Sequence, residues 1–436
     1  MSIIELKEQI ESQLNTRKIN ELEIDRLNRL IASSNGDDDT LVSILPSINS
    51  FLNDEKYYEL DENLKVISLY ETILSKLPIN IISALYPLQV ITTNLAYKNQ
   101  FCLLILKLLT LNYDKIDMVD NGLLFEILKM YLADDELKIE ICNQIERLFE
   151  RTINIVNSNV LKEFQSLFAE VESNNNSTLV ARLLTLILIK PSIYPYHFKV
   201  DPNDDDVLLN ILKIQFFTDL IGKVDINTLP IDQMIELFYL RMENDIVDSF
   251  LITEVNNFLI KLSFKMNEFI FLKSSDFYLD RPSDVYLLSK FNASTFPPEF
   301  IKWLLEFPLS SNKYFTILLN LVKSKKCFDL LKFQLPDTIK TLSSNDHIYQ
   351  LLVNLSLSSF GIDFLINSPS IMNDYVVSET PVYNEVFTLK LSLLDNLLKC
   401  PDLSIWEDKI IDVYKLMNNG RNIRSQPQVD VMDQAA

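Results

Sequence analysis

Apolar residues recur along this chain at intervals of three and four almost without interruption. Ile3, Leu6, Ile10 and Leu14 share one helical face. Leu64, Ile67, Tyr70, Leu74 and Leu77 repeat the pattern, as do Leu137, Ile141, Ile145 and Leu148. Ile231, Met234, Leu237 and Leu240 follow it, and so do Ile348, Leu351, Leu352 and Leu355. This spacing tracks the 3.6-residue turn and predicts amphipathic helices. Asp134 or Asp135 is placed to cap the third of these helices, and Ser344 or Asn345 the last, because short polar side chains accept first-turn N–H groups. Strict alternation over a strand's length is rare; residues 192–200 come nearest and read more easily as a loop.

Turn-forming clusters separate the periodic segments, at 35–39, 76–78, 112–120, 173–177, 191–206, 292–298 and 307–312. Helices of about 10–18 residues joined by short polar turns result. Taken in pairs they give a repeat of about 40 residues, the HEAT or armadillo range, and on the order of ten repeats. A lone helical hairpin cannot cover its apolar faces, whereas stacked hairpins share one continuous core. The expected architecture is therefore an all-α solenoid of HEAT/armadillo-like hairpins over residues 1–421, curved, with a concave binding face. Residues 191–206 are expected to be a protruding loop or a junction between two halves. The polar helices through Arg29 suit a capping repeat, and the aperiodic residues 422–436 suit a disordered tail.

Composition sharpens this reading. The chain has 436 residues and only 5 glycines, where average usage of about 7% would give roughly 30. Hairpins, phosphate loops and strand-to-helix elbows depend on glycine, so the scarcity favours an all-helical chain. The net charge of −20 opposes docking on phosphate backbones or anionic membranes and favours a basic partner surface. The longest apolar stretches, 101–111 and 179–189, fall short of the roughly 18 residues of a membrane span. The start of the chain is amphipathic rather than signal-like, so the expected compartment is the cytoplasm, with the nucleus as a second. Cys102, Cys142, Cys327 and Cys400 lie far apart without a CxxC pair, which suits separate thiols in a reducing compartment.

Candidate chemistry is sparse. His197 and His347 are the only histidines, and neither has a nucleophile beside it in sequence. The acids of 201–206 begin like a calcium loop, but Asp206 and Leu212 stand where glycine and glutamate are required. They read instead as caps for a helix starting near Val207. No Walker, dinucleotide or nucleophile-elbow motif is present. Lys323, Lys325 and Lys326 form the densest basic spot and read as a solvated turn. No catalytic, cofactor or metal residues are assigned, and the chain is expected not to be an enzyme. Aromatics at 216, 217, 238 and 239 beside acids suggest core mixed with an anchor surface; Glu236, Tyr239, Glu243 and Asp245 are the candidate partner-binding residues.

The C-terminal half carries a further signal. Leu403, Ser404, Ile405 and Trp406, then Tyr414, then residues 419–422, preceded by Trp303, Leu304 and Leu305, by Cys327 and Phe328, and by residues 364–367, occur in a compatible order. With N-terminal segments such as 48–51 and 85–95, they resemble a fungal HEAT-repeat family that chaperones assembly of the 19S regulatory particle of the proteasome. The resemblance implies a superhelix cupping the C-terminal helical domain of one base ATPase subunit, with other base subunits as further partners, in an early module and leaving before the mature particle forms. That family is also associated with DNA mismatch repair. The matched residues look structural, so the resemblance carries no binding residues over. The alternatives from the residues are another HEAT scaffold or adaptor and a mismatch-repair factor; direct nucleic-acid binding is not expected.

Overall fold

The computed structural model of the chain describes residues 3–33, 38–52, 54, 62–78, 81–82, 84, 88–96, 98, 100–111, 113, 122–156, 158–173, 176–201, 206–240, 248–266, 273–378 and 384–423. Among these residues the chain forms 23 α-helices and no strand; Ile221 and Val224 make an isolated bridge. Two compact units divide it, Met1–Val224 and Asp225–Ala436. Residues 191–206 thus belong to the first unit rather than marking the division.

The first unit holds α1 (Ile3–Thr16), α2 (Glu21–Ser33), α3 (Asp38–Leu52), α4 (Glu62–Lys76), α5 (Leu88–Ala96), α6 (Gln100–Leu111), α7 (Leu123–Ala133), α8 (Ile139–Thr152), α9 (Ser158–Ser173), α10 (Ser177–Ile189) and α11 (Val207–Leu220). Helices pack on a sequence neighbour or on the next but one: α1 on α2 and α3, α2 on α4, α4 on α6, α6 on α8. That is how stacked hairpins share a core. Ile10 and Leu14 of α1, Ile67, Tyr70, Leu74 and Leu77 of the fourth segment, and Ile141, Ile145 and Leu148 of α8 are buried as the periodicity predicts. Leu64 is not; it sits in the first turn of α4, exposed to solvent.

Local chemistry sets several helix starts. Asn176 caps α10, Asp206 caps α11 and Ser344 caps the helix that follows it, each accepting a first-turn N–H. Residues 202–205 lie outside the described residues, as do 34–37. Asp134 departs from expectation. Its carboxylate accepts the N–H of Glu136 within a turn, and α8 starts later, at Ile139, with Lys138 at the cap position and no side-chain cap.

The second unit holds α12 (Ile231–Leu240), α13 (Ser249–Ser263), α14 (Pro282–Lys290), α15 (Pro298–Leu304), α16 (Phe315–Leu321), α17 (Lys325–Leu331), α18 (Leu335–Thr341), α19 (Asn345–Ser356), α20 (Ser359–Ile366), α21 (Pro369–Ile371), α22 (Asn384–Leu398) and α23 (Glu407–Ile423). Here α13, α14, α16, α19 and α22 form a row in which each helix packs on the next. One of the rare glycines is spent on close approach. A Cβ on Gly361 would stand 2.0 Å from the Leu355 carbonyl oxygen, so α20 folds back against the end of α19 only because residue 361 has no side chain. The tail expected from residue 422 is helical through Ile423, and 424–436 lie outside the described residues.

The repeat length is visible in the polar ties between stacked helices. Lys65 reaches Asp25 across 40 residues, Gln144 reaches Thr110 across 34, Asn320 reaches Leu288 across 32, and Asn396 reaches Ser356 across 40. These separations bracket one helical hairpin. No single helix among the described residues is long and apolar enough to cross a membrane.

Candidate partner-binding surface

Helix α12 turns Met234, Leu237 and Phe238 inward, and this fixes what the opposite side presents. Glu236 is exposed and Tyr239 is 38% exposed. The Tyr239 hydroxyl donates to Oδ2 of Asp276 at 3.1 Å, a carboxylate that also accepts the backbone N–H of Lys273. Glu243 and Asp245 lie outside the described residues. Of the aromatics considered with them, Phe216, Phe217 and Phe238 are core residues.

Phe238 opens a chain of ring contacts. Its ring lies 5.8 Å from Tyr239 and 6.0 Å from Phe277. Phe277 lies 5.6 Å from Phe300, and Phe300 lies 5.2 Å from Trp303. Trp303 meets Phe307 at 5.3 Å, and Phe307 meets Tyr314 at 5.8 Å. All are tilted or edge-to-face arrangements, which the ring quadrupole favours. The deep members, Phe238 and Phe277, are buried, while Trp303 and Phe307 are half-buried. Residues 300, 303 and 307 share one face through the end of α15, so helical spacing carries the belt outward.

The belt ends in a pocket of about 390 Å³ walled by Tyr278, Trp303, Phe307 and Tyr314, with Asp280 and Ser274 at its edge. Asp280 is ion-paired to Lys313. That hydrogen bond, helped by the Tyr278 hydroxyl, holds the Asp280 carboxyl below the usual carboxylate range and pushes the Lys313 ammonium up. Lys313 also stands 5.1 Å from the centre of the Tyr314 ring, and Arg281 stands 5.8 Å from that of Tyr278. Aromatic faces beside carboxylates suit cationic side chains, and edges of this kind anchor protein interfaces.

The residues weighed for chemistry lie elsewhere. His197 is exposed, its backbone N–H donating to Glu172 at 2.7 Å, and belongs to the first unit. His347, in the second, stacks on Phe315 at 4.1 Å. Cys102, Cys142 and Cys327 are buried and Cys400 is half-buried. Burial pushes the thiols of Cys102 and Cys327 up to about 12 and about 11, far from the reactive thiolate. Among the described residues no three His, Cys, Asp or Glu side chains gather as a metal site requires. Trp406 is buried and donates its indole N–H to the Ile366 carbonyl at 3.0 Å, a structural role; Tyr414 is half-buried.

The sequence reading found Phe238 and Tyr239 and missed the rest of the belt. Its only signal was aromatic density between 277 and 315, which does not separate core rings from rim rings.

Comparison with known proteins places these features in a family. Residues 2–222 match the family model described as "DNA mismatch repair protein HSM3, N terminal domain", and residues 223–436 match that of the C terminal domain. The boundary between the two falls beside the division between the compact units at Val224. The chain is 31% identical over 438 residues to the DNA mismatch repair protein HSM3 of Debaryomyces hansenii, covering 90% of this chain and 87% of that protein. It is 28% identical to the protein of the same name from Scheffersomyces stipitis, covering 90% and 89%. It is 27% identical to that of Candida albicans, covering 90% of each.

Proposed function

The chain belongs to the HSM3 family, and from that premise we propose that it is a stoichiometric assembly chaperone of the proteasome regulatory particle, not an enzyme. It takes the C-terminal domain of one base ATPase subunit and is released before the mature particle forms. The observation that carries this reading is the aromatic belt of the second unit with Glu236, Asp276 and Asp280 along it, a surface equipped to hold rather than to react. The sequence resemblance supplies the identity of the client. The acidic chain steers a basic partner surface and raises its on-rate more than its affinity. The expected compartments are cytoplasm and nucleus.

Affinity purification of the full chain from cells, followed by identification of bound proteins, tests the reading. A base ATPase subunit is expected in stoichiometric amount; retrieval of none sinks the proposal. The name of the relatives favours a second reading, a part in DNA mismatch repair. With a charge of −20 the chain is expected to serve it through protein contacts. Salt-dependent binding of duplex DNA by the purified chain would reverse that order.

A further inference from the structure

In a strongly acidic chain, residues 307–328 hold four lysines and no carboxylate. The fold gathers two of them, with a third from another helix, around one groove of about 500 Å³ between α14 and α16. Lys290, Lys313 and Lys323 rim it, Val285 and Leu319 give it an apolar floor, and Tyr286 stands 51% exposed on one wall. None of the residues lining the groove is acidic. Among the described residues Lys290 and Lys323 make no ion pair. The Lys290 ammonium lies 5.8 Å from the centre of the Tyr286 ring.

Helix dipoles account for part of this and not for the rest. Lys290 ends α14, where a cation is favoured, and Lys323 follows the end of α16. Lys313 precedes the start of α16, where a cation is disfavoured, and it is held there by Asp280. The floor is fixed beneath them. Asn320 is 9% exposed and donates to the carbonyls of Leu288 at 2.9 Å and Phe291 at 2.8 Å, which locks α16 onto the end of α14. The three ammonium groups are thus carried on, or within two residues of, a pair of helices tied to each other by Asn320.

We propose that this groove binds a short acidic peptide segment of a partner protein, with carboxylates on Lys290, Lys313 and Lys323 and aliphatic side chains on Val285 and Leu319. Charge complementarity selects the occupant: the patch is basic on a chain of net charge −20, so it discriminates against the basic segments that the rest of the chain attracts. A long polyanion such as nucleic acid is disfavoured, because beyond the patch it meets a chain of net charge −20. The groove adjoins the aromatic pocket through the Lys313–Asp280 pair, so the two sites of opposite preference fix a partner's direction along the second unit. The inference stands apart from the identity of the client.

The test is fluorescence anisotropy of a short fluorescein-labelled peptide alternating glutamate with leucine, titrated with the full chain. Binding that weakens as salt rises is expected, with about a tenfold or greater loss in the double variant Lys290→Glu, Lys323→Glu. Lys340→Glu, an exposed lysine at the end of α18, is expected to change affinity less than about twofold. Circular dichroism checks the fold of each variant; Lys290→Gln with Lys323→Gln gives a milder pair with a smaller loss. Three results overturn the proposal: no binding by the parent chain, unchanged affinity in both double variants, or tighter binding of a labelled oligothymidylate that the same lysine substitutions abolish.

Discussion

The two units solve one stacking problem with different side chains. In residues 1–224 the ties between stacked helices are largely cationic. Lys65 pairs with Asp25, Lys107 with Glu71 and Lys98 with Asp134. Arg182 spreads over the carbonyls of Tyr131, Asp134, Asp135 and Leu137. In residues 225–436 the ties are mostly short and neutral. Ser263 accepts from Asn292, Asn320 donates to Leu288 and Phe291, and Asn396 donates to Ser356. Cys327 donates to Ala293 and Trp406 to Ile366. Exposed ion pairs contribute about 0–1 kcal/mol each and fade with salt. Buried neutral ties contribute modestly when made and cost about 1–3 kcal/mol per stranded group when broken. The first unit is therefore held mainly by its apolar core, with its charges tuning the stack. The second is pinned at defined points, which suits the unit that carries the belt and the groove.

Both tryptophans, Trp303 and Trp406, lie in the second unit, so their emission follows that unit while circular dichroism follows all helices. The largest effect is expected from Asn320→Ala. It removes the donor to two carbonyls at the end of α14 and leaves a void, and should cost about 2–4 kcal/mol in urea unfolding followed by tryptophan emission. An unchanged midpoint would remove the idea of pinning. Next comes Arg182→Ala, which uncaps the end of α7 and removes a cation 5.4 Å from the Tyr131 ring. A loss of about 2–3 kcal/mol is expected in the dichroism transition, with the tryptophan transition unmoved. Equal movement of both would show that the two units do not unfold separately.

The smallest effect concerns the exception in the neutral unit. Lys390 is 2% exposed and donates to the Ser378 carbonyl, and burial holds its ammonium below the usual lysine range. The unfolded chain then keeps its proton more tightly. The contribution of Lys390 to wild-type stability should be least favourable at neutral pH and below, and rise with pH between the depressed folded value and the unfolded value near 10.5. Lys390→Met should add about 1 kcal/mol at pH 7 and flatten that rise, measured by urea midpoints from pH 7 to 10. A destabilised variant would show that the charge is held by more than one carbonyl.

How much of this was legible depended on the range of the physics involved. Periodicity and the five glycines were enough for an all-helical repeat chain, because helix spacing and φ restrictions act within a few residues. Ser344 and Asp206 as caps were legible for the same reason. Asp134 was not, since a carboxylate followed by an apolar run serves a turn as well as a helix start. At the site, the face of α12 that exposes Glu236 and Tyr239 followed from Met234, Leu237 and Phe238 turning inward. The partners of that face did not. Asp276 lies 37 residues on, and the rings at 277, 300, 303, 307 and 314 meet only after helices stack. Lys323 read as part of a solvated turn until Lys290, one hairpin earlier, was brought beside it.

The sequence by itself determined the class: helices, hairpin repeats and an acidic chain without catalytic motifs. Each of these is a sum over local preferences or over charges, and needs no knowledge of neighbours in space. The tertiary structure alone decided where the chain divides, which aromatics are rim rather than core, and where lysines face one another across a groove. Those depend on register between stacked helices. Register is set by side-chain volumes and buried hydrogen bonds some 30 to 40 residues apart, such as Asn320 on Leu288 and Asn396 on Ser356, and no local pattern encodes it.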